Sequence, residues 1–182
     1  MKLRPVAASD AARIAEIYAP NVTNSHVSFD TQAPDADEIG RRIAAAHDIY
    51  PWLVAEEAGE VMGYAYAGAF RIRHAYRFTV EPSVYVAPEA KGRGVASLLY
   101  DRLHALLIAQ GYTQAVAVVA LPNDASIRLH ERFGYTQSGL FRAIGYKAGD
   151  WRDVGYWQRA LAPLTDPPRE PLRLTQLPDV HI

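Results

Sequence analysis

Six consecutive residues, Lys91-Gly92-Arg93-Gly94-Val95-Ala96, carry the strongest chemical signal in the chain. Glycines at 92 and 94 let the backbone turn sharply, which brings successive N–H groups towards one point. The helix expected to start there adds its unpaired N–H groups and the positive end of its dipole. With Lys91 and Arg93 flanking it, the segment reads as a receptor for a pyrophosphate. It lacks the Gly-Lys-Ser/Thr ending of a P-loop and the Gly-x-Gly-x-x-Gly spacing of a dinucleotide site. Taken alone, it is equally an ordinary tight turn with two surface cations.

Three other residues offer proton or hydrogen-bond chemistry. Glu81 stands in Thr79-Val80-Glu81-Pro82-Ser83, just before the strand that leads into the turn. By residue type alone it is a solvated carboxylate. His130 lies in a short helical stretch, where it either exchanges protons near neutral pH or packs against a sheet. Asn123 precedes that stretch and is placed as a helix N-cap. The chain has no cysteine. That excludes a disulfide framework, thiolate metal sites, iron–sulfur clusters and a Cys nucleophile.

Alternating strands and helices must position these groups. A strand opens the chain, followed by a helix that Ser9 or Asp10 can cap, with Ile14, Ile17 and Tyr18 on its apolar face and Pro20 as its stop. After a polar stretch, Asp35 and Asp37 favour a second helix carrying Ile39, Ile43 and Ala46. Residues 52–55 and 61–69 read as a hairpin around the turn at 57–60, and 80–86 as a further strand. The loop at 70–76 holds Arg71, Arg73 and His74.

A long helix then carries Leu98, Leu99, Leu103, Leu106 and Leu107 along one side and ends at Gly111. Residues 115–121 read as a strand covered on both faces. Pro122-Asn123-Asp124 breaks it, a short helix runs over 125–133 to Gly134, and a last strand spans 154–161. Proline crowds residues 162–182, which read as an extended tail.

At 182 residues the chain has the length of one domain. Hydrophobic residues make up 49%, enough for a core and too many for a disordered chain. Nineteen Lys and Arg against twenty Asp and Glu argue against a dedicated nucleic-acid or membrane-surface binder. Residues 103–123 carry no formal charge, but polar residues and a change of period make them a helix and a strand, not a membrane span. The start, Met1-Lys2-Leu3-Arg4-Pro5, lacks the apolar stretch of a signal peptide. The expectation is a soluble cytoplasmic protein.

The turn at 91–96, the buried strand, Asn123 and the helix ending in Phe133-Gly134-Tyr135 together resemble the GNAT superfamily of acetyl-CoA-dependent N-acetyltransferases. That family's turn reads Gln/Arg-x-x-Gly-x-Gly/Ala; Lys91, Gly94 and Ala96 take its positions, with Lys91 the one departure. Tyr50-Pro51-Trp52-Leu53-Val54-Ala55-Glu56, Ala65-Tyr66-Ala67-Gly68, Leu121-Pro122-Asn123-Asp124 and Asp153-Val154-Gly155-Tyr156-Trp157-Gln158 look like the phosphinothricin N-acetyltransferases within it.

The resemblance implies an α/β fold: a mixed, twisted sheet of about six or seven strands with helices on both faces. One domain would span residues 1–161, followed by the tail. Acetyl-CoA would be the cosubstrate, held by Val84, Tyr85, Val86, Lys91, Gly92, Arg93, Gly94, Val95, Ala96 and Asn123, with no metal. Glu81 would be the base and His130 the acid that meets the thiolate. Phe29, Arg71, Arg73 and Tyr76 would bind the acceptor: phosphinothricin, methionine sulfoximine or methionine sulfone.

Without a cysteine, the attack would be direct, in one ternary complex. The protein would be a homodimer without nucleic-acid or membrane partners. Two alternatives stay open: transfer to another amine, such as a protein N-terminus or a polyamine, and a CoA-binding module without catalysis. Arg71 and Arg73 speak against a cationic polyamine.

Overall fold

Short apolar runs separated by turn residues bury themselves best by pairing into a sheet. In the computed structural model, which describes residues 1–177, seven strands do so. They are β1 (Lys2–Pro5), β2 (Trp52–Glu57), β3 (Glu60–Ala69), β4 (Thr79–Val86), β5 (Gln114–Ala120), β6 (Thr136–Lys147) and β7 (Asp150–Ala160). Their order is β1-β2-β3-β4-β5-β7-β6, and only the β4–β5 pair is parallel. The helices are α1 (Ala11–Thr23), α2 (Ala36–Ala46), α3 (Val95–Gln110) and α4 (Asp124–Arg132).

Helices cover both faces, as expected. On one, the Tyr18 ring of α1 meets Tyr85 of β4 edge-on at 4.8 Å. On the other, α3 comes so close that a Cβ on Gly63 would lie 2.9 Å from the Tyr85 carbonyl and 3.1 Å from Val95 Cγ1. Glycine at 63 is what permits that approach. Leu99, Leu103 and Leu107 of α3 are fully buried in the same core as Leu53, Val54 and Ala65.

The expected hairpin forms, with Ala58 and Gly59 at positive φ in its turn. Gly111 ends α3 in the left-handed region, its N–H bonded to the Ile108 carbonyl. Asp35 caps α2 by accepting from the Glu38 N–H. The uncharged stretch 103–123 divides into α3, β5 and their connections. Among the described residues, no helix is long and apolar enough to cross a membrane.

Four expectations need correction. Pro20 does not stop α1: the helix runs to Thr23, because the next turn buries Val22 and gains bonds from the Asn24 N–H to the Pro20 carbonyl and from Asn21 Nδ2 to the Ile17 carbonyl. Asp10 occupies the N-cap position of α1, but its carboxylate accepts from the Ala7 N–H and from Arg4 at 2.7–2.9 Å instead of capping. Leu98 is 39% exposed, because the buried stripe of α3 passes through Val95, Leu99 and Leu103. The last strand begins at Asp150, not at 154, since β7 continues to pair with β6 beyond the sheet's core.

After β7 the chain is tied back by specific bonds. The Leu172 N–H donates to the Gln110 carbonyl at 2.7 Å, the buried Gln110 Nε2 donates to Leu172 and Ile49 carbonyls, and Glu170 accepts from Arg77. A 3-10 turn follows at Leu174–Gln176. Residues 178–182, the end of the expected tail, lie outside the described residues.

Candidate active site

Parallel strands β4 and β5 pair only at Thr79–Gln114 and Val80–Ala115. Beyond that point β3 holds the outer edge of β4 and β7 holds the outer edge of β5, so the facing edges diverge. A cleft of about 610 Å³ opens between them. Val84, Tyr85 and Val86 line one wall, Ala117 to Ala120 the other, and Asn21, Asn24 and Ser25 of α1 and the loop after it also border it. Backbone amides and carbonyls on these edges have no neighbouring strand here.

Lys91 and Ala96 mark one end of the cleft. Gly92 and Gly94 adopt φ of 75° and 80°, a region costly for any side chain, and the first backbone bond into α3 runs from the Leu98 N–H to the Gly94 carbonyl. The N–H groups of the first turn ahead of it have no intrahelical acceptor. Arg93 turns its guanidinium to Glu57 of β2, 2.6 Å away. Lys91 is exposed beside the cleft.

Asn123 is an N-cap that also borders the cleft. Its Oδ1 accepts from the Ser126 N–H and caps α4, while the residue lines the cleft and retains its Nδ2 donors. His130, on the same helix, is 5% exposed and also lines the cleft.

Glu81 sits on β4 in register with Gly68 of β3. Side chains alternate along a strand, so Glu81 shares its face with Ser83 and Tyr85. A second cavity of about 350 Å³ lies on that face, bounded by Arg42, Tyr50, Trp52, Tyr64, Tyr66 and Gly68. Burial pushes the Glu81 carboxyl above its usual range, and the charge of Arg71 pulls it partly back. The Arg71 guanidinium itself bonds the Phe70 carbonyl at 2.9 Å and stacks on the Phe70 ring at 4.3 Å. Tyr76 packs edge-on to Phe70, and Arg73 is exposed at the start of a 3-10 turn. Phe29 lies against Gly145 of β6, where any Cβ would overlap its ring.

Residues 3–155 match the acetyltransferase (GNAT) domain family. The chain belongs to this family of acetyltransferases. It is 44% identical over 177 residues to the phosphinothricin N-acetyltransferase of Streptomyces viridochromogenes, covering 97% of this chain and 96% of that protein. It is 36% identical over 162 residues to the L-methionine sulfoximine/L-methionine sulfone acetyltransferase of Salmonella typhimurium, covering 88% and 95%. The crystal structure of a GNAT phosphinothricin acetyltransferase from Sinorhizobium meliloti in complex with acetyl-CoA superposes with a TM-score of 0.89 at 38% identity, covering 97% of each chain.

In this acetyltransferase the electrostatics of His130 follow from its two nitrogens. The Ser126 carbonyl lies 2.8 Å from Nδ1 and can only accept, which assigns the ring proton to Nδ1. Nε2 is then a bare acceptor, and the Tyr100 hydroxyl donates to it from 3.0 Å. Burial lowers the imidazole's affinity for a second proton, so the ring rests neutral. Next to it, His104 is pushed down to about 3 by burial and bonds the Tyr135 hydroxyl at 2.8 Å.

Reading the residues alone misses Tyr100, which is fully buried and yet borders the cleft. In a leucine-rich helix it looks like core, and no local signal separates it. Ser126 was within reach: four residues before His130 on a helix, it occupies the same face.

Proposed function

We propose that this acetyltransferase moves the acetyl group of acetyl-CoA directly onto the α-amino group of phosphinothricin, methionine sulfoximine or methionine sulfone, in one ternary complex. The observation that carries this reading is Glu81 under the influence of Arg71. An α-amino acid presents an amine and an anionic group on neighbouring atoms. A half-buried carboxylate within the field of a guanidinium suits both, the first as base and the second as anion partner. The named relatives support the same class of acceptor.

Acetyl-CoA supplies an activated acetyl group. The turn from Lys91 to Ala96 would hold its pyrophosphate, with Gly92, Gly94 and Val95 presenting backbone N–H groups, while Arg93 shapes the turn with its N–H on the Ala90 carbonyl and its side chain on Glu57. The unpartnered edge of Val84, Tyr85 and Val86 would bond the pantetheine arm and offer an N–H to the carbonyl oxygen as charge gathers there. Asn123 would donate to the arm through Nδ2. Glu81 takes a proton from the ammonium, while Arg73, Tyr76 and Phe29 hold the rest of the acceptor. The chain's lack of cysteine supports direct attack.

Exposed Phe141, Ile144, Tyr146 and Trp151 of the β6–β7 hairpin, 51–63% accessible, favour a homodimer through this surface. Light scattering that gives the mass of a single chain would reject it.

The decisive assay is thiol release from acetyl-CoA across phosphinothricin, methionine sulfoximine, methionine sulfone, the common amino acids, a polyamine and an N-terminal peptide. The three analogues are expected to exceed the common amino acids in kcat/KM by about tenfold or more, the value of one good charged contact. Release only with the peptide or polyamine overturns the assignment.

A further inference from the structure

Building on the acetyl-transfer reading, we infer that the segment after β7 is a working part of the acceptor site: Glu170 is a positioning residue that fixes Arg73 and Tyr76 through Arg77. Every residue from Arg71 to Tyr76 is exposed, so no core packing holds the loop that would meet the acceptor. Inside it, the 3-10 turn at His74–Tyr76 has two backbone bonds, from the Tyr76 N–H to the Arg73 carbonyl and from the Arg77 N–H to the His74 carbonyl. A first turn costs more backbone entropy than one or two bonds return. Arg77 is the first partly buried residue after it.

The Arg77 side chain supplies what the backbone lacks. Its Nη1 donates to the His74 carbonyl at 3.3 Å, closing the turn from outside, and its guanidinium stacks on Phe78 at 4.2 Å. Phe78 is tied in turn to the chain just before β5, its carbonyl accepting from the Thr113 N–H at 3.0 Å. The other side of the guanidinium grips the tail: Nε and Nη2 donate to the Glu170 carboxylate at 2.6–3.0 Å, a two-pronged fork. Arg77 holds the Glu170 carboxyl below the usual carboxylate range, so the clasp is charged at neutral pH.

An exposed ion pair ordinarily adds little, because ordering two long side chains offsets the attraction. Here both ends are held before they meet. Two residues beyond Glu170, at most about 7 Å of chain, Leu172 and the fully buried Gln110 exchange bonds in both directions, at 2.7 and 2.8 Å. Farther on, Asp48 accepts from the Leu174 and Thr175 N–H groups at 2.9 and 2.8 Å, and Leu177 packs against the core. An anchored segment thus delivers the carboxylate to Arg77, next to Tyr76. Freeing Arg77 would let Arg73 and Tyr76 leave the positions in which they meet an acceptor's anionic end. Among the described residues that border the cleft assigned to acetyl-CoA, none comes from 70–78 or 170–177, so the donor side is independent of the clasp.

Amide hydrogen exchange of the protein alone reads the clasp itself. In Glu170→Ala the Tyr76 and Arg77 amides are expected to exchange about threefold or more faster than in the wild type, with those of β5 unchanged. Equal rates overturn the clasp, whatever the enzyme acetylates. Thiol release reads its consequence. With methionine sulfone as acceptor, KM is expected to rise about three- to tenfold in Glu170→Ala and in Arg77→Ala, with a smaller change in kcat. Acetyl-CoA affinity by calorimetry should stay within about twofold. Exchanging the charges, Arg77→Glu together with Glu170→Arg, is expected to give a lower KM than either change alone, which loss of fold would not produce. An unchanged KM, an equal loss of acetyl-CoA affinity, or an exchange no better than the single variants overturns the positioning role. A wild-type protein that releases no thiol with any amine overturns the acetyl-transfer reading instead, and leaves the hydrogen-exchange result standing.

Discussion

The guanidinium of Arg93 lies 2.6 Å from the carboxylate of Glu57, so one of the two cations flanking the glycine turn is bound to the β2–β3 hairpin. Both partners are substantially exposed, at 46% and 38%, which limits the pair's contribution to stability. What the turn has left to offer an anion is therefore its backbone and Lys91. Gly94 must hold a φ of 80° to begin α3. Replacing it with valine is expected to weaken CoA binding at least tenfold by calorimetry, whereas Arg93→Ala should change it by less than about threefold, the range of an exposed pair.

Glu81 and Arg71 make a linked pair for kinetics. With Glu81 as the proposed base, the working form is the carboxylate, and burial raises its pKa, so the acid limb of kcat/KM should lie above the ordinary carboxylate range. Arg71 opposes that shift. In Arg71→Ala the limb is expected to move to still higher pH, and in Glu81→Gln turnover should fall by about 10²–10⁴-fold with CoA binding retained. A limb that moves down in Arg71→Ala would contradict the assignment.

His104 gives the fold a pH dependence separate from catalysis. Its pKa in the folded protein, about 3, is below the unfolded value, taken as 6.5. The unfolded chain binds the extra proton between those values, so stability is complete above about 6.5 and declines as pH falls towards 3. His130 is shifted in the same direction. The fall in Tm between pH 7 and 5 should be visibly smaller in His104→Gln than in the wild type, measured by calorimetry; an equal fall in both would remove His104 as the cause.

Gly145 carries the loop that holds Phe29. A side chain there must displace the ring, and Lys147 two residues on bonds the Asp30 carbonyl of the same loop. Gly145→Val is expected to cost about 1–3 kcal/mol in denaturant unfolding. It should also raise the acceptor KM more than that of acetyl-CoA, if Phe29 faces the acceptor. An unchanged acceptor KM with the stability loss present would make Phe29 a loop anchor only.

Much of the scaffold was legible because it depends on local rules. The glycines at 92 and 94, the hairpin at 57–60, the stop at Gly111 and the caps at Asp35 and Asn123 each solve a backbone problem within a few residues. The seven-strand sheet lay within the expected range because most of its apolar runs are short and bounded by turns. Pro20 misled for the opposite reason: its local penalty was outweighed by burial of Val22 against distant residues.

The chain's order of residues, by itself, determined the glycine turn, six of the seven strands and the four helices, and the exclusion of thiol chemistry; the exposed strand β6 was not legible in it. Tertiary structure alone decided that β4 and β5 part after two paired residues, that the charge of Arg71 acts on Glu81, and that Tyr100 meets His130 across 30 positions. Those relationships depend on sheet register and on how α3 and α4 pack, which no spacing along one element contains. A buried tyrosine among leucines looks like packing until the fold puts an imidazole 3.0 Å from its hydroxyl.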